Sequence, residues 1–209
     1  MSGNASHTDN SACFDATLTY YIDFVAKGAS ISGFPEWLPS ERVVEQRVID
    51  TLRKVFELNG FIGIETRAVE TGASLLKKGE TSKEIYLLSR LQEVGHESDT
   101  PIEERLGLHF DLTVPLSRYV VEHSGALAFP FKRWQIQKVW RGERPQEGRF
   151  REFVQADIDV IGAGDLPDHY EVELPLVMVS ALEELRAYGL PKATVHANNR
   201  KLSEGFYLS

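Results

Sequence analysis

The sequence predicts an α+β fold, built on an antiparallel sheet that is flanked by helices. The main observation is a pair of strand-like segments, Leu127–Arg141 and Glu152–Ile161, joined by a polar loop, Gly142–Arg151. Two helical segments, Glu41–Leu58 and Asp168–Tyr188, surround this pair along the chain. Long antiparallel strands with helices around them are typical of α+β proteins rather than of doubly wound parallel sheets. The chain also lacks GxGxxG and the GxxxxGK fingerprint that ends in Ser or Thr.

The first helix is predicted from its apolar spacing and from its two ends. Apolar residues recur every three or four positions, which predicts an amphipathic helix over Glu41–Leu58. Ser40 is the expected N-cap, and Gly60 suits the left-handed conformation that often follows a helix. Residues 1–29 are mostly polar or small, and we expect them to form a poorly defined extension.

Shorter elements are expected between the first helix and the central strands. A helix is predicted over Val114–His123, with Thr113 as its N-cap and Pro115 in its first turn. Pro175 predicts a kink or a late start in the last helix. The other predicted elements are four strands, a helical turn and an acidic connection: Phe61–Thr66, Glu84–Leu88, Leu106–Leu112, Thr194–Ala197, Ser74–Lys78 and Leu91–Glu104.

Strict alternation along the two central strands assigns their side chains to two faces. One face of the second strand is apolar, and the other carries Gln155 and Asp159. On the first strand, Trp134 and Trp140 are expected in the core, whereas Arg141 lies on the polar face. If the strands pair as a hairpin, one surface of the sheet therefore presents a guanidinium, an amide and a carboxylate together.

Composition and charge narrow the class of protein. The 209 residues are 42% hydrophobic and 26% charged, which excludes a collagen, a fully disordered chain and a disulfide scaffold. The net charge is −8, yet Lys132–Glu152 holds seven basic residues against three acidic ones. This segment would attract an anionic ligand, and the acidic Leu91–Glu104 would repel one. The single Cys13 and the absence of a signal-like or membrane-spanning segment predict a cytoplasmic protein.

From the residues alone, two interpretations of the polar hairpin face stay open. A polyphosphate would partner the arginines of the face and loop, because a planar guanidinium binds phosphate bidentately. A substrate amino group would partner Asp159 and Gln155. Alternatively, the face is simply solvated, as one face of an antiparallel sheet often is.

Three motifs, in order along the chain, resemble a known family. Arg141-Gly-Glu143 followed by RPQEGRFREFVQADID resembles motif 2 of class II aminoacyl-tRNA synthetases, in the version that is similar to histidyl-tRNA synthetases. Leu108–Pro115 (LHFDLTVP) resembles the histidine-binding turn of that family. Ser40–Glu70 resembles motif 1, a helix and strand at the dimer interface.

The resemblance implies a fold and a reaction. Residues 30–209 would be the N-terminal part of a class II catalytic domain, with motif 1 at 40–70 and motif 2 at 131–161. The implied enzyme is a histidine–tRNA ligase, which activates histidine with ATP to histidyl-adenylate and transfers it to tRNA(His). It would act as a homodimer in the cytoplasm. Such adenylation depends on positioning and on electrostatic stabilisation.

The resemblance implies that two arginines and one glutamate contact ATP. Arg141 would bind the α-phosphate and the attacking carboxylate oxygen, and is the implied catalytic residue. Glu143 would hold the adenine amino group, and Arg149 would reach the outer phosphates. Mg²⁺ would bridge the phosphates, and no metal site made by the protein is implied.

On the histidine side, the resemblance implies five contacts. Asp111 and Thr113 would bind the α-amino group together with Gln155, and Arg141 would hold the carboxylate. Asp159 matches the position that reads the imidazole or amino group. From the residues alone, a helix cap is the better interpretation of Asp111 and Thr113, and the resemblance reverses it.

The sequence also departs from the family. Arg67 stands where motif 1 usually has its proline, which puts the details of the dimer interface in doubt. His109 stands where many members have arginine, and Asp159 is one methylene shorter than the common glutamate. A second histidine signature, motif 3 and an anticodon-binding domain are not found, so we expect a truncated synthetase that holds part of the active site.

Two alternatives to the ligase stay open. Synthetase-like chains also serve as regulatory subunits of ATP phosphoribosyltransferase in histidine biosynthesis, and a third possibility is a non-catalytic fragment. The presence of Arg141, Glu143 and Arg149 favours the ligase, because a pure histidine sensor does not need contacts to ATP.

Overall fold

The structure, a computed structural model, describes residues 30–77, 83–93, 100–197 and 205. It confirms the predicted α+β class, with two sheets and the helices packed around them. The predicted extension at residues 1–29 lies outside the described residues, as do residues 94–99 of the predicted acidic connection.

Five strands form two sheets in the described part of the chain. The larger sheet has the order β1 (Ile62–Gly63), β4 (Phe131–Trp140) and β5 (Glu152–Ile161), and the smaller one pairs β2 (Val69–Thr71) with β3 (Leu106–Leu108). The β4–β5 and β2–β3 pairs are antiparallel; the first pairing was predicted, whereas strand β2 was not. Because β1 runs parallel to β4, the larger sheet is mixed rather than purely antiparallel.

The β4–β5 hairpin has the predicted alternation of faces. Its strands pair over ten residues each, from Phe131 opposite Ile161 to Trp140 opposite Glu152. The bounds of β5 are those predicted, but β4 begins at Phe131 rather than Leu127. Pro130 explains the later start, since proline has no N–H to donate within a sheet.

Two helices cover one face of the hairpin. Helices α1 (Pro39–Leu58) and α4 (His169–Leu185) pack against each other and against the sheet. Trp134 lies against this core, as predicted. The buried core residues are Val55, Phe56, Phe61, Val177 and Ala181. The opposite face of the hairpin therefore carries the polar side chains.

Helix α1 begins slightly earlier than predicted. Its N-cap is Leu38 rather than Ser40, and Pro39 is the first helical residue. Proline is well placed there because the first N–H of a helix has no intrahelical acceptor. The Leu38 backbone N–H donates to the Glu41 carboxylate at 2.8 Å. The signal from Pro39 thus outweighs the capping preference of Ser40.

Helix α1 ends as predicted, at Asn59 and Gly60. Gly60 has φ +80°, in the left-handed region that disfavours any side chain. We expect Gly60→Ala to lower the free energy of unfolding by about 1–2 kcal/mol, since the strain depends on backbone conformation. Gly125→Ala is the matched control: Gly125 has no positive φ, and no atom of the described residues lies within 4 Å of the place that an alanine Cβ would take. Urea denaturation that ranks the two variants equally would contradict this strain.

The remaining helices differ from prediction mainly at their ends. Helix α2 spans Gly72–Leu76, and α3 spans Thr113–His123 with Leu112, not Thr113, as its N-cap. Helix α4 begins at His169 and runs through Pro175, so a late start is wrong. It continues as a 3-10 turn to Tyr188.

Several predicted strands are shorter or absent because a strand needs a hydrogen-bonded neighbour. Of Phe61–Thr66 only Ile62–Gly63 forms a strand, and Leu106–Leu112 stops at Leu108. Glu84–Leu88 forms a single bridge, from Leu87 to Gly107. Thr194–Ala197 is not a strand, although its residues alternate as one.

Candidate active site

Arg141 anchors the polar face at the loop end of the hairpin. It follows β4 directly, and its backbone N–H still donates to Arg151 O at 2.8 Å. Its guanidinium carbon lies 4.5 Å from the ring centre of Phe110 and 4.9 Å from that of Phe153. Two aromatic faces that hold one cation restrict its position without using its N–H donors.

The hydrogen bonds of Arg141 join the hairpin to the turn before α3. Its Nε donates to Phe110 O at 3.3 Å, and its Nη2 donates to Gln155 Oε1 at 3.2 Å. The sequence prediction that Arg141 and Gln155 share one face is therefore confirmed. The half-buried guanidinium keeps further donors that an anion could accept.

The loop residues predicted for the ATP side converge on one pocket. This pocket has a volume of about 320 Å³ and is lined by Arg141, Glu143, Gly148, Arg149, Phe150 and Phe153. The exposed Arg149 lies 3.4 Å from the Glu143 carboxylate, Nη1 to Oε2. Arg151 supports the loop from behind, since its Nε donates to the Glu143 carbonyl at 3.1 Å. Two cationic side chains and one carboxylate thus line a single cleft beside aromatic rings.

Asp111 and Thr113 lie on the turn that leads into α3. Asp111 is buried, with 5% of its surface exposed, and its Oδ1 accepts the Thr113 backbone N–H at 3.1 Å. This bond is an Asx turn just before α3 and not the predicted helix cap, since Leu112 is the N-cap residue and no side chain caps the helix. Because the Phe110 carbonyl accepts from Arg141, the turn contacts a residue that lines the ATP-side pocket. The two residues therefore adjoin the site.

His109 fixes this turn to the hairpin. Its ring is fully buried, and Nε2 lies 2.7 Å from Lys138 O. The ring also packs on Trp140, at 5.4 Å between centres, and the Trp140 backbone N–H donates to His109 O at 3.2 Å. Trp140 is half-buried and packs on His109, but it lies outside the core cluster that includes Trp134.

Asp159 lies at the opposite end of the polar face. It is four residues from Gln155 along β5, which corresponds to about 13 Å of strand. Its carboxylate pairs with Arg133, which lies directly opposite on β4. Burial and the neighbouring Asp157 raise the pKa of Asp159, although Arg133 partly offsets them. Asp159 thus faces the site at a distance from Arg141.

Arg133 and Asp157 complete this face and were not predicted as site residues. Gln155 Nε2 donates to Asp157 Oδ2 at 2.9 Å, and Asp157 lies 4.0 Å from the Arg133 guanidinium. A continuous polar series therefore runs from Arg141 through these side chains to Asp159. The strand alternation placed both residues on the polar face, which was the available signal.

A buried ionic cluster next to the site was also missed. The Glu70 carboxylate is fully buried and accepts from Arg118 Nε at 2.8 and 3.1 Å. Arg67, which stands at the usual proline position, adds a contact to Glu70 at 3.2 Å. Arg118 also pairs with Glu122 on its own helix, at 2.6 Å. This cluster connects β2 to α3, which begins at Thr113.

Metal-ligating clusters and membrane-spanning helices are both absent from the described part of the chain. Within 30–77, 83–93, 100–197 and 205, no group of three or more His, Cys, Asp or Glu is arranged to hold a metal ion. Across those same ranges, no helix combines the length and apolar character that crossing a membrane requires.

Comparison with known proteins places this geometry in a family. The chain is 91% identical to the histidine–tRNA ligase of Bifidobacterium animalis subsp. lactis over 183 residues, which cover 88% of this chain and 39% of that protein. It is 58% identical to the same enzyme of Cutibacterium acnes, over 88% of this chain and 40% of that one. The chain therefore spans about two-fifths of the length of these curated relatives.

The solved structures and a family model agree with these relatives. The crystal structure of histidyl-tRNA synthetase from Nostoc sp. PCC 7120 is similar at a TM-score of 0.62 and 41% identity, over 75% of this chain and 34% of that chain. A family model described as histidyl-tRNA synthetase matches residues 33–205. Since this match covers most of the sequence, the chain belongs to the histidyl-tRNA synthetase family.

Proposed function

We propose that this chain carries the histidine- and ATP-binding hairpin of a histidine–tRNA ligase. The proposed reaction joins the histidine carboxylate to the α-phosphate of ATP with release of pyrophosphate. It then transfers the histidyl group to tRNA(His) with release of AMP. The observation that carries the proposal is the placement of Arg141, held between two aromatic rings at the junction of the ATP-side pocket and the Asp111 turn. The names of the relatives given above support the same reaction.

For ATP, we propose that Arg141 neutralises the α-phosphate while Arg149 contacts the outer phosphates. Both line the same pocket, and bidentate guanidinium contacts suit phosphate oxygens. Glu143 would accept the adenine amino group. Mg²⁺ would enter as the ATP complex, since oxygen-rich phosphates are its preferred ligands. These groups act by holding charge and geometry at the reacting phosphorus.

For histidine, we propose that different residues bind its amino group, its carboxylate and its imidazole. Asp111, Thr113 and Gln155 would bind the α-amino group, Arg141 the carboxylate, and Asp159 the imidazole. The positions of Arg141 and Gln155 support this orientation, because their direct contact leaves both facing the same space. Asp159, further along the strand, would meet the side chain of the substrate.

We also propose how the chain is organised and where it works. Residues 30–209 would form the part of the catalytic domain that includes motifs 1 and 2. The chain would pair with a second copy through residues 40–70, where Val43, Val44 and Leu58 expose half or more of their surface. Light scattering measures that oligomeric state directly. The proposed location is the cytoplasm.

A series of trimmed ligands tests the histidine site by isothermal titration calorimetry. We expect L-histidine to bind, and histamine, imidazole propionate and phenylalanine each to bind at least about tenfold more weakly. Each analogue leaves one protein group unpartnered, which costs about 1–3 kcal/mol. Failure of L-histidine to bind at millimolar concentration, or equal binding of phenylalanine, would contradict the proposal.

Titration with MgATP separates the ligase from the regulatory alternative. A ligase hairpin is expected to bind MgATP through Arg141, Glu143 and Arg149, whereas a histidine sensor does not need that ligand. Binding of histidine together with no detectable binding of MgATP would favour a regulatory subunit of ATP phosphoribosyltransferase. Titration with AMP alone is the control for the adenine contact of Glu143.

A further inference from the structure

Arg133 is a fully buried guanidinium in the middle of the sheet. It lies on β4 with no exposed surface, directly opposite Asp159 on β5. Its Nη2 pairs with the Asp159 carboxylate and lies 4.0 Å from that of Asp157. Within the described residues, Arg133 Nε and Nη1 have no hydrogen-bond partner in the protein. The two acidic side chains of β5 therefore compensate its charge.

A buried guanidinium is an unfavourable choice if stability alone matters. Desolvation of an ion pair often exceeds its attraction, so apolar residues of similar size are commonly as stable or more stable. The same face of β4 already uses apolar residues at two buried positions, Phe131 and Val139. Gln135 is also buried and polar on this face, but Arg133 is the residue among these four that carries a charge, and it lies opposite Asp159.

The two carboxylates near Arg133, those of Asp159 and Asp157, are partly exposed, whereas Arg133 is buried. The Asp159 side chain is 43% exposed and that of Asp157 is 27% exposed. Asp157 in turn accepts from Gln155, which accepts from Arg141. A change at Arg133 would consequently act on a ligand through Asp159 and Asp157, and not by direct contact.

The groups around Asp159 shift its pKa in opposite directions. Burial and the carboxylate of Asp157 raise the pKa of Asp159, and Arg133 is the cation that lowers it. Burial likewise lowers the pKa of Arg133, against the attraction of the two carboxylates. Removal of Arg133 would leave two carboxylates on one face without the cation that separates them.

We propose that Arg133 is a positioning residue for substrate recognition, which fixes the Asp159 carboxylate in the orientation that accepts an N–H donor of the substrate. This inference rests on the proposed function, in which that donor is the imidazole of histidine. Arg133 itself does not touch the substrate. Its planar fork can approach both Asp159 and Asp157, which a single ammonium group cannot do in the same way.

The first test measures the carboxyl group and needs no ligand. The ¹³C shift of the Asp159 carboxyl carbon is titrated by NMR, with Asp159→Asn used to assign the signal. We expect Arg133→Met to raise the pKa of Asp159 by about one unit or more, because an opposite charge at this range lowers it by about 1–3 units. An unchanged pKa in Arg133→Met would overturn the proposal.

Lys132→Met is the matched control for this substitution. Lys132 neighbours Arg133 on β4, points to the opposite face and pairs with Glu173 at 2.5 Å. The Lys132→Met substitution removes the same charge from the same strand. Because Lys132 lies on the opposite face, we expect no change in the pKa of Asp159. An equal effect of both variants would overturn the proposal, since it would reduce the role of Arg133 to general charge.

The second test measures affinity for L-histidine by calorimetry. Arg133→Met is expected to weaken histidine binding by about tenfold and to leave MgATP affinity within about twofold. Part of the lost histidine affinity should return at higher pH, as Asp159 ionises. A purely structural role would weaken both ligands together, and that result would overturn the proposal.

Arg133→Lys keeps the test decisive if Arg133→Met does not fold. The lysine retains the charge but not the planar fork, so we expect a thermal midpoint near that of the parent chain. Histidine affinity should still fall by about threefold or more, because orientation is lost. Histidine affinity equal to that of the parent chain would overturn the proposal.

Asp159→Asn separates failure of this inference from failure of the proposed function. If Asp159→Asn leaves histidine affinity unchanged, the proposed role of Asp159 is wrong. If Asp159→Asn weakens binding and the Arg133 variants do not, only the inference about Arg133 is wrong. If the parent chain binds no histidine, the proposed function fails, and the pKa of Asp159 in Arg133→Met decides the positioning role alone.

Discussion

Replacement of Arg141 by alanine is expected to weaken MgATP binding by about 100-fold, which corresponds to about 2.7 kcal/mol. Hydrogen bonds to a charged group contribute about 1.5–3 kcal/mol each, and the proposed phosphate contact uses at least one of them. The guanidinium is also held in place before the ligand arrives, between Phe110 and Phe153. Little side-chain entropy is therefore lost on binding, so the contact should realise most of its strength.

Arg141→Lys and Lys138→Met make this expectation specific. The lysine keeps the charge but loses the bidentate fork and its bond to Gln155, so we expect affinity between that of the parent and alanine forms. Lys138 lies three residues earlier on the opposite face, where it pairs with Glu152 at 2.6 Å. Its loss should change MgATP affinity by no more than about twofold. Calorimetry in which Lys138→Met and Arg141→Ala behave alike would contradict a specific phosphate contact.

The hairpin was the most predictable part of the fold, because its information is local. Alternation with a period of two assigned Gln155 and Asp159 to one face and the apolar residues to the other, and β5 has the predicted bounds. The contact between Arg141 and Gln155 followed directly from that alternation and from antiparallel pairing. The grouping of Glu143 with Arg149 reflects their places on the short connecting loop.

Other features depend on contacts that no local pattern encodes. Whether Arg133 is buried or exposed is decided by what covers the polar face, and alternation gives the face alone. Thr194–Ala197 alternates as a strand does but has no neighbouring strand to pair with in the described part of the chain. At the start of α1, two valid local signals compete, and Pro39 prevails over Ser40.

The ionic cluster of Glu70 shows the same limit at longer range. Glu70 and Arg118 are 48 residues apart, yet they form a buried ion pair. Arg67 looked like a departure from the usual proline that would disturb motif 1. In the structure, it donates to Val69 O at 3.1 Å and to the Glu70 carboxylate. The substitution is thus accommodated by a partner three residues away.

Glu70→Gln is expected to lower the free energy of unfolding by about 3 kcal/mol. Removal of one member of a buried ion pair leaves the other uncompensated, which costs about 3–5 kcal/mol. The expected loss lies at the lower end because the Arg118 side chain is 16% exposed and keeps Glu122 as a second partner. Glutamine preserves the volume of the side chain, so the loss reports charge and hydrogen bonding rather than a cavity.

Glu122→Gln is the matched control, since it removes the other carboxylate of the same arginine. The Glu122 side chain is 46% exposed, and exposed pairs contribute about 0–1 kcal/mol. We expect urea denaturation to give at most about 1 kcal/mol for this variant. The double variant Glu70→Gln with Arg118→Met should recover part of the loss, because it leaves no unpaired charge. If Glu70→Gln and Glu122→Gln destabilise the protein equally, burial does not set the strength of the cluster. If they differ as expected, the buried Glu70–Arg118 pair holds α3 against β2. Because α3 begins at Thr113, the pair then also holds the proposed histidine turn in place.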